Sequence, residues 1–406
     1  MRVSATEVAP VFDPFDPAFR ADPYPLYRRL RDENPIHPGP IGGLVLTRHA
    51  DCLYVLRHPA ASSDERNGEL FAAMAEAGEV DEDLVEARPF LFLDPPDHTR
   101  LRRLVSKAFT PRTIERLRPR VQQLVDELLD ARAGTGSIEL IEELAYPLPV
   151  QVISELLGVP PEDHERFKGW SRDLARGLDP DFILPQEVLD QRKAAVDAFS
   201  AYFLGLIADR RRSPRDDLLG ALVAAEDEGD RLTERELLST CTLLLVAGHE
   251  TTVNLIANGT LALLRHPDQL QRLRDDPGIA RSAVEELLRY DPPVQMTGRV
   301  ALEDIELDGA TLTKGAFALL LLASANRDPL AFPDPDRLDL GRADNHHLAF
   351  GFGTHFCLGA PLARLEGEVA LTTLARRCPD LALATDSPRY KENLILRGLE
   401  ALPLSF

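Results

Sequence analysis

One long apolar segment constrains the fold of this 406-residue chain more than any other feature. Thr233 and Glu236 form a Thr-x-x-Glu pattern, which predicts a capping box at the start of a helix. Apolar positions then continue to about Leu264, and Pro267 prevents the helix from going further. A helix of about 32 residues is roughly 48 Å long, so it must cross the whole domain. Because its middle, residues 243–247, is apolar, the helix should be buried on most sides.

Helical periodicity also dominates much of the remaining chain, and the prolines fall mostly between the periodic segments. Short strands are expected over residues 36–47 and 305–312, and a buried strand or a short apolar run over residues 316–322. We find no repeat and no linker, so the sequence predicts one domain over residues 1–406, mostly α with small β-sheets, with about the first 12 residues as an irregular arm. Further helices are predicted over residues 22–34, 49–57, 95–109, 111–132, 146–157, 161–176, 186–212, 277–290 and 358–377.

The acidic composition limits the classes of partner. Against 66 Asp and Glu the chain has 46 Lys and Arg, which gives a formal net charge of −20. General binding to nucleic acid or to an anionic membrane surface needs the opposite sign. No apolar stretch reaches the ~20 residues of a membrane-spanning helix. The 4 cysteines form no close pair in the sequence, which favours a reduced, cytoplasmic setting. We also expect the protein to be a monomer.

The segment Phe350 to Gly359 reads Phe-Gly-Phe-Gly-Thr-His-Phe-Cys-Leu-Gly and places Cys357 directly before the last predicted helix. Gly351 and Gly353 permit a tight turn, and Gly359 lets a flat ligand approach closely. The N-terminus of a helix favours a thiolate, and a thiolate held in this way can be the axial ligand of a haem iron. A lone cysteine would more often be a buried structural residue, but the whole ten-residue pattern favours the ligand.

This Phe-Gly-x-Gly-x-His-x-Cys-x-Gly pattern resembles the haem-binding loop of the cytochrome P450 family. Three further motifs follow in that family's order, so the resemblance covers about residues 13–404 and points to the soluble bacterial type. It implies a single-domain cytochrome P450 fold, mostly α with small β-sheets, in which the long central helix crosses over the haem. It also implies that Cys357 binds the iron of haem b, with Gly359 beside the ring.

The second motif, Ala-Gly-His-Glu-Thr-Thr from Ala247, lies in the middle of the long helix. Gly248 and Thr251 share one helix face, where the missing side chain opens a groove and the hydroxyl enters it. The residues alone leave two alternatives equally open, a functional acid and alcohol, or a solvated Glu250 beside a hydroxyl bonded back to its own helix. The resemblance implies that Glu250 and Thr251 deliver protons during dioxygen cleavage.

The third motif is Glu-Leu-Leu-Arg, in which Glu286 and Arg289 are three residues apart on a helix and can pair. On a surface such a pair would mean little. The resemblance implies a buried pair that joins an arginine from the loop before Cys357. Arg337 and Arg342 are both candidates, and Arg337 is preferred. The role of these three residues would be structural, to hold the cysteine loop.

The fourth motif, residues 94–102, places His98 and Arg102 four residues apart, so both reach one side of a helix and can bind carboxylates. The resemblance identifies these carboxylates as the haem propionates and adds Arg299 and His355 as further contacts. For any one of the four basic residues, a solvated surface position is the alternative.

The substrate-binding residues follow only from the family's variable distal segments. They are mostly apolar, so a small apolar organic substrate is expected, with Gln295 able to orient one polar group. Each of these residues, taken alone, is more often ordinary core. The predicted set is Phe90, Phe92, Phe182, Ile183, Leu243, Val246, Ala247, Val294, Gln295, Met296, Leu394 and Ile395.

Electrons must come from another protein, because the sequence has no flavin, iron–sulfur or Gly-x-Gly-x-x-Gly pattern. The resemblance implies a ferredoxin with an NAD(P)H-dependent ferredoxin reductase. Residues 98–120 contain eight Lys or Arg and one acid, a formal charge of +7. By resemblance this segment lies on the cysteine side of the haem, where an acidic ferredoxin would dock.

Together these features predict a haem-thiolate monooxygenase that inserts one oxygen atom of O2 into the substrate by hydroxylation or epoxidation, in secondary metabolism. Two alternatives are a haem-thiolate enzyme of another reaction type, such as a peroxygenase or an oxidative coupling enzyme, and a non-catalytic haem-binding sensor. The presence of both Glu250 and Thr251 argues against each alternative.

Overall fold

Helices carry most of the fold in the computed structural model, which describes residues 10–13, 17–40, 42–78, 88–175, 179, 181, 184–227 and 230–406. The irregular arm expected at the start of the chain lies largely outside these residues. No helix in the described part is long and apolar enough to cross a membrane. The α-helices are Pro17–Ala21, Tyr24–Glu33, His49–Arg57, Glu69–Glu76, Asp97–Ala108, Pro111–Glu115, Arg118–Asp130, Pro147–Leu156, His164–Ala175, Gln186–Arg212, Leu218–Ala224, Glu234–Arg265, Pro267–Asp275, Ala280–Tyr290, Leu322–Ala325 and Ala360–Arg377.

The strands are short and form small sheets, as the sequence predicts. The hairpin expected around residue 309 is present, and Gly309 has the positive φ of +84° that its tight turn requires. The largest sheet has the strand order Ile36–Pro38, Leu44–Leu46, Phe317–Leu320, Thr297–Ala301 and Ala61–Ser62. The smaller sheets pair Ala382–Leu383, Pro403–Ser405 and Ser137–Glu139, then Glu226–Asp227 with Asp230–Arg231, and Ile305–Leu307 with Ala310–Leu312.

The central helix, Glu234–Arg265, has the predicted bounds and the predicted cap. The Thr233 hydroxyl accepts the N–H of Glu236 at 3.2 Å, and the Glu236 carboxylate accepts the N–H of Thr233 at 2.7 Å. Residues 252–263 are all buried. This helix packs on the helix Ala360–Arg377, called the cysteine helix below because it follows Cys357. The core therefore surrounds the long helix on most sides.

One predicted helix is interrupted. Residues 111–132 form two helices, Pro111–Glu115 and Arg118–Asp130, instead of one. Pro119 lies in the first turn of the second helix, where a proline is tolerated. A continuous helix would have placed this proline in its interior, where it lacks the N–H that the helix needs.

A buried ion network holds the chain ahead of Cys357. Glu286 and Arg289 are both fully buried and form an ion pair at 2.7 Å. The Arg342 guanidinium joins the same carboxylate at 3.1 Å. Arg289 also donates to three backbone carbonyls of the loop that precedes the cysteine, those of Asn326, Pro335 and Arg337. Every N–H donor of the Arg289 guanidinium thus has an acceptor within this network. A charge can be buried only when it is paired and hydrogen-bonded in this way.

The preferred third member of this network was wrong. The Arg337 side chain is exposed, and only its carbonyl takes part. A turn closed by the Arg342 N–H donating to the Asp339 carbonyl at 3.0 Å brings the loop back, so Arg342 points at Glu286. The direction of a loop residue depends on this turn and not on its distance in sequence from the helix.

Replacement of Glu286 tests the network. Glu286→Ala should lower the free energy of unfolding by about 3–5 kcal/mol, because it leaves a buried guanidinium without its counter-charge. Glu286→Gln should lower it less, since the amide still accepts hydrogen bonds. Both values can be measured by urea denaturation of the holoprotein.

The matched control is Arg337→Ala, which removes an exposed side chain from the same loop. It should change the free energy of unfolding by less than about 0.5 kcal/mol. Equal losses in Glu286→Ala and Arg337→Ala would contradict the assignment of Arg342 to the network.

Candidate functional site

Cys357 ends a tightly turned loop directly before the cysteine helix. Its N–H donates to the carbonyl of Phe350 at 3.0 Å and closes the loop. Gly351 and Gly353 have φ values of +67° and +72°, in the left-handed region that glycine tolerates. A Cβ on Gly353 would also lie 2.7 Å from the carbonyl oxygen of Leu56. Both glycines therefore serve the tight turn that the sequence predicts.

The charge state of Cys357 depends on what lies beside it. Burial raises the pKa of the thiol above its ordinary value. The N–H groups of Gly359 and Ala360 act in the opposite direction, as do the charges of Arg102 and Arg364, but they do not outweigh burial. A bound metal cation would remove the thiol proton outright. A Cβ on Gly359 would meet only the Cys357 sulfur, at 3.9 Å, so the space in front of the thiol is open.

The four basic residues predicted from separate motifs lie together. The rings of His98 and His355 have centroids 4.1 Å apart. Burial, followed by the charges of His98, Arg299 and Arg102, lowers the pKa of His355 to about 3. Burial also lowers the pKa of Arg299 to about 10. The structure thus brings basic side chains from three elements together in one largely buried place.

No carboxylate among the described residues forms an ion pair or a hydrogen bond with these four basic residues, and Asp94 acts on His98 and Arg299 only through its charge. Both ring nitrogens of buried His98, and Nδ1 of His355, have no hydrogen-bond partner. Arg299 donates only within its own strand, and Arg102 donates to the carbonyl of Phe356 at 2.5 Å. Buried donors without partners are costly. A ligand with two carboxylates beside Cys357 would satisfy them, so these residues fit a haem.

The central helix has an open side. Ala247, Gly248 and Thr251 are half-buried on a helix whose neighbouring positions are buried. A Cβ on Gly248 would meet no atom within 4 Å, so the predicted groove is present. The Thr251 hydroxyl donates to the carbonyl of Ala247 at 2.7 Å, the back-bond considered as an alternative. Glu250, however, is only 4% exposed and is not a solvated acid.

Glu250 has a partner that the sequence analysis missed. The Lys391 ammonium pairs with its carboxylate at 2.7 Å. Burial pushes the pKa of Glu250 upward, but the charges of Lys391 and His249 and the bonds from Lys391 and Asn254 more than offset burial, so the pKa lies below its ordinary value. The two paired residues are 141 positions apart, and no local pattern could have joined them.

A second buried acid was also missed. Glu366 on the cysteine helix is 1% exposed, and burial raises its pKa to about 8. The Thr252 hydroxyl beside it donates to the carbonyl of Gly248 at 3.1 Å, and neither carboxyl oxygen has a hydrogen-bond partner. Glu366 is therefore protonated at neutral pH. A glutamate between apolar residues of a buried helix was the available signal.

The predicted substrate residues separate into three groups. Phe182 and Ile183 lie outside the described residues. The buried ones pack in the core and include Phe90, Val246, Gln295 and Met296. The half-buried ones, which remain candidates, are Phe92, Leu243, Ala247, Val294, Leu394 and Ile395.

The expectation that Gln295 would orient a polar group of the substrate is wrong. Its side-chain amide donates to the carbonyl of Pro292 at 2.8 Å and accepts the Tyr27 hydroxyl at 3.3 Å. Met296 beside it is 1% exposed and packs in a cluster with Tyr27 and Phe12. Both side chains thus hold the N-terminal segment against the sheet.

The comparison with known proteins decides the family. The profile of the Cytochrome P450 family matches residues 65–277 and 279–396. The chain belongs to the cytochrome P450 family. It is 47% identical over 396 residues to the cytochrome P450 monooxygenase PikC of Streptomyces venezuelae, covering 95% of this chain and 91% of that protein. It is 42% identical to the vitamin D(3) 25-hydroxylase of Pseudonocardia autotrophica, covering 97% and 96% of the two chains.

Solved structures agree with this assignment. The ligand-free structure of Mycobacterium smegmatis CYP164A2 matches this P450 with a TM-score of 0.87 and 49% identity, covering 96% and 98% of the two chains. The predicted fold class and family are therefore confirmed, and the chain is a haem-thiolate monooxygenase. Because its relatives are named monooxygenases and hydroxylases, the sensor alternative is set aside.

Loss of one basic group tests the fit of this P450 to its cofactor. Arg299→Gln should speed haem transfer to an acceptor apoprotein by roughly ten- to a hundredfold, because a charge-assisted hydrogen bond to a carboxylate is lost. The transfer is followed by the absorbance of the haem.

Arg100→Ala is the matched control, since Arg100 lies on the same helix as His98 and Arg102 but pairs with Asp230 and Glu236. It should transfer haem at the wild-type rate. Equal acceleration in the two variants would show that Arg299 has no specific role.

Proposed function

We propose that this P450 inserts one oxygen atom of O2 into an apolar organic substrate, by hydroxylation or epoxidation. The observation that carries the proposal is the Thr251 hydroxyl on the open side of the central helix, next to the buried, ionised Glu250. The bound haem would supply the activation of dioxygen. The chain's own residues hold that cofactor, exclude water and move protons.

The residues that hold the cofactor follow from the unsatisfied groups of the site. Cys357 supplies the thiolate ligand of haem b, and Gly359 lets the flat ring approach. His98, Arg102, Arg299 and His355 bind its two propionates; the lack of partners at both nitrogens of His98 supports this.

Proton delivery is assigned to Glu250 and Thr251. Glu250 is an anion at neutral pH because of its ion pair, so it can accept a proton and release it again. The Thr251 hydroxyl donates to its own helix at 2.7 Å and can instead donate into the open groove. An acid and an alcohol at adjacent positions can thus pass protons from the buried side of the helix to its open side.

The substrate class follows from the half-buried apolar residues and from the relatives. Leu243, Ala247 and Val294 offer no charge, so the pocket favours an apolar molecule with few polar groups. Relatives of this P450 include a polyketide biosynthesis cytochrome P450 of Bacillus subtilis and the 6-deoxyerythronolide B hydroxylase of Saccharopolyspora erythraea. We therefore infer that the substrate is an apolar organic molecule of secondary metabolism.

Replacement of Thr251 tests proton delivery. In Thr251→Ala the product formed per NADPH should fall roughly tenfold or more, with hydrogen peroxide formed instead, because the proton donor in the groove is lost. The substrate for this measurement is one selected by its shift of the haem Soret band.

The matched control is Thr260→Ala, on the same helix. The Thr260 hydroxyl makes the same back-bond, to the carbonyl of Ile256 at 2.7 Å, but in the fully buried half of the helix. It should keep the wild-type product yield. A normal yield in Thr251→Ala would exclude this role for the hydroxyl.

We infer that a ferredoxin, reduced by an NAD(P)H-dependent reductase, supplies the electrons on the cysteine side. The helix Pro111–Glu115 packs on the cysteine helix. Its Arg112 and the following Arg116 are exposed, and neither has an ion pair among the described residues. Other basic residues of segment 98–120 pair within the chain, Arg118 with Glu368 and Arg120 with Glu155. The available basic patch is therefore smaller than the formal charge of the segment.

The location and the oligomeric state belong to the same proposal. All 4 cysteines are free, which fits a reducing compartment such as the cytoplasm. We propose a monomer that meets its ferredoxin there. Size-exclusion chromatography of the holoprotein measures the oligomeric state.

Charge reversal tests ferredoxin docking. Arg112→Glu should slow electron transfer several-fold at low ionic strength and less at high ionic strength, because salt screens steering. The control is Lys193→Glu, an exposed lysine on the helix Gln186–Arg212. Equal slowing of Arg112→Glu at both ionic strengths would exclude steering.

A further inference from the structure

The central helix carries one polar row. Glu250, Asn254 and Asn258 repeat every four residues and so share one face. All three are buried, with exposures of 4%, 1% and 2%. A row of this kind on an otherwise apolar helix needs partners from another part of the chain.

The partner is the hairpin 390–399 near the end of the chain, called the C-terminal hairpin. Asn258 donates to the carbonyl of Arg397 at 3.0 Å. The backbone of Gly398 lies directly against Asn254, because a Cβ on Gly398 would overlap with the amide of that residue. The Lys391 N–H donates to the carbonyl of Gly398 at 2.9 Å, which places Lys391 opposite Gly398 in the hairpin.

Lys391 extends this docking to the first residue of the polar row. Its ammonium lies 2.7 Å from Oε1 of Glu250. The Lys391 side chain is 26% exposed and that of Glu250 only 6%. The ion pair therefore joins a buried acid to the solvent side of the C-terminal hairpin.

Two other titratable groups face Glu250, namely His249 and Tyr146. His249 donates from Nδ1 to the carbonyl of Leu245 at 2.9 Å, since a carbonyl can only accept, and its Nε2 lies 3.7 Å from Oε2 of Glu250. The Ser171 hydroxyl is 3.0 Å from this Nε2, and burial lowers the pKa of His249. Burial raises the pKa of Tyr146, which directly precedes the helix Pro147–Leu156, to about 12. Among the described residues, Lys391 of the hairpin is the cation that hydrogen-bonds to Glu250.

We propose that Lys391 is the positioning residue of Glu250: its ammonium holds the buried carboxylate as an anion turned toward the C-terminal hairpin, where the acid takes up its proton from solvent. The inference rests on the proposed function of Glu250. One proton moves from solvent to the Glu250 carboxylate and then to the Thr251 oxygen, as the Thr251 hydroxyl releases its own proton into the open groove. Both side chains thus return to their starting protonation states.

Infrared titration of the holoprotein tests the electrostatic part. The carbonyl band of protonated Glu250 is assigned as the band missing from Glu250→Gln. In Lys391→Met this band should appear at a higher pH than in the wild type, because burial is then unopposed by the ammonium. Lys391→Arg should restore the wild-type titration. If Lys391→Met does not fold, Lys391→Gln is titrated in its place.

Turnover tests the functional part. In Lys391→Met the product formed per NADPH should fall by roughly tenfold and become dependent on pH near neutrality, while the wild-type yield stays constant there. Lys391→Arg should recover most of the yield. Glu392→Gln, which alters an exposed neighbour in the same hairpin, should leave both yield and titration unchanged.

Asn258→Ala separates positioning from anchoring, because it removes another anchor of the hairpin without changing any charge. It should leave the Glu250 titration unchanged. An unshifted titration in Lys391→Met, or an equal shift in Asn258→Ala, would overturn the inference. A normal product yield in Glu250→Gln would instead overturn the proposed role of Glu250, whatever Lys391→Met shows.

Discussion

A helix of 32 residues that is buried along most of its length requires a partner for every polar side chain it carries. On the central helix these partners come from distant elements. A lysine of the C-terminal hairpin pairs with Glu250, a carbonyl of the same hairpin accepts Asn258, and a serine of another helix bonds His249. The polar side chains of the central helix therefore constrain where these distant elements pack. The one side without such partners, at Gly248 and Thr251, is the side that faces the open groove.

The cofactor site differs from the central helix, because several of its buried polar groups have no hydrogen-bond partner among the described residues. Both ring nitrogens of His98 lack a hydrogen-bond partner, and the buried Arg299 side chain donates only to Thr297 and Gly298 of its own strand. The thiol of Cys357 is held neutral by burial although nearby amides and guanidinium groups favour its anion. A bound iron cation would remove the thiol proton, and two propionates would pair with the basic residues. The residues of the site therefore fit a haem. The buried ion pair of Glu286 and Arg289 holds the loop ahead of Cys357.

Sequence reasoning succeeded where a residue's role depends on its near neighbours and failed where it depends on a fold in the loop. The pairing of Glu286 with Arg289 was predictable from their spacing on one helix, and its burial followed from the family resemblance. Its third member was not, because the turn that directs Arg342 and not Arg337 inward is set by loop packing. Gln295 shows the same limit. The sequence shows a polar residue between apolar neighbours, but only the packed core shows its amide bonded to Tyr27.

The sequence by itself determined the central helix with its cap, the glycine-turned loop at Cys357 and the family, because these depend on contacts between residues close along the chain. Tertiary structure alone decided that Lys391 pairs with Glu250 across 141 positions. It also decided that Arg100, Arg118 and Arg120 of the basic segment form ion pairs within the chain. Such pairings depend on which surfaces meet when the helices pack. The sequence pattern does not show which surfaces contact one another, and the free energy of a buried charge depends on its three-dimensional surroundings.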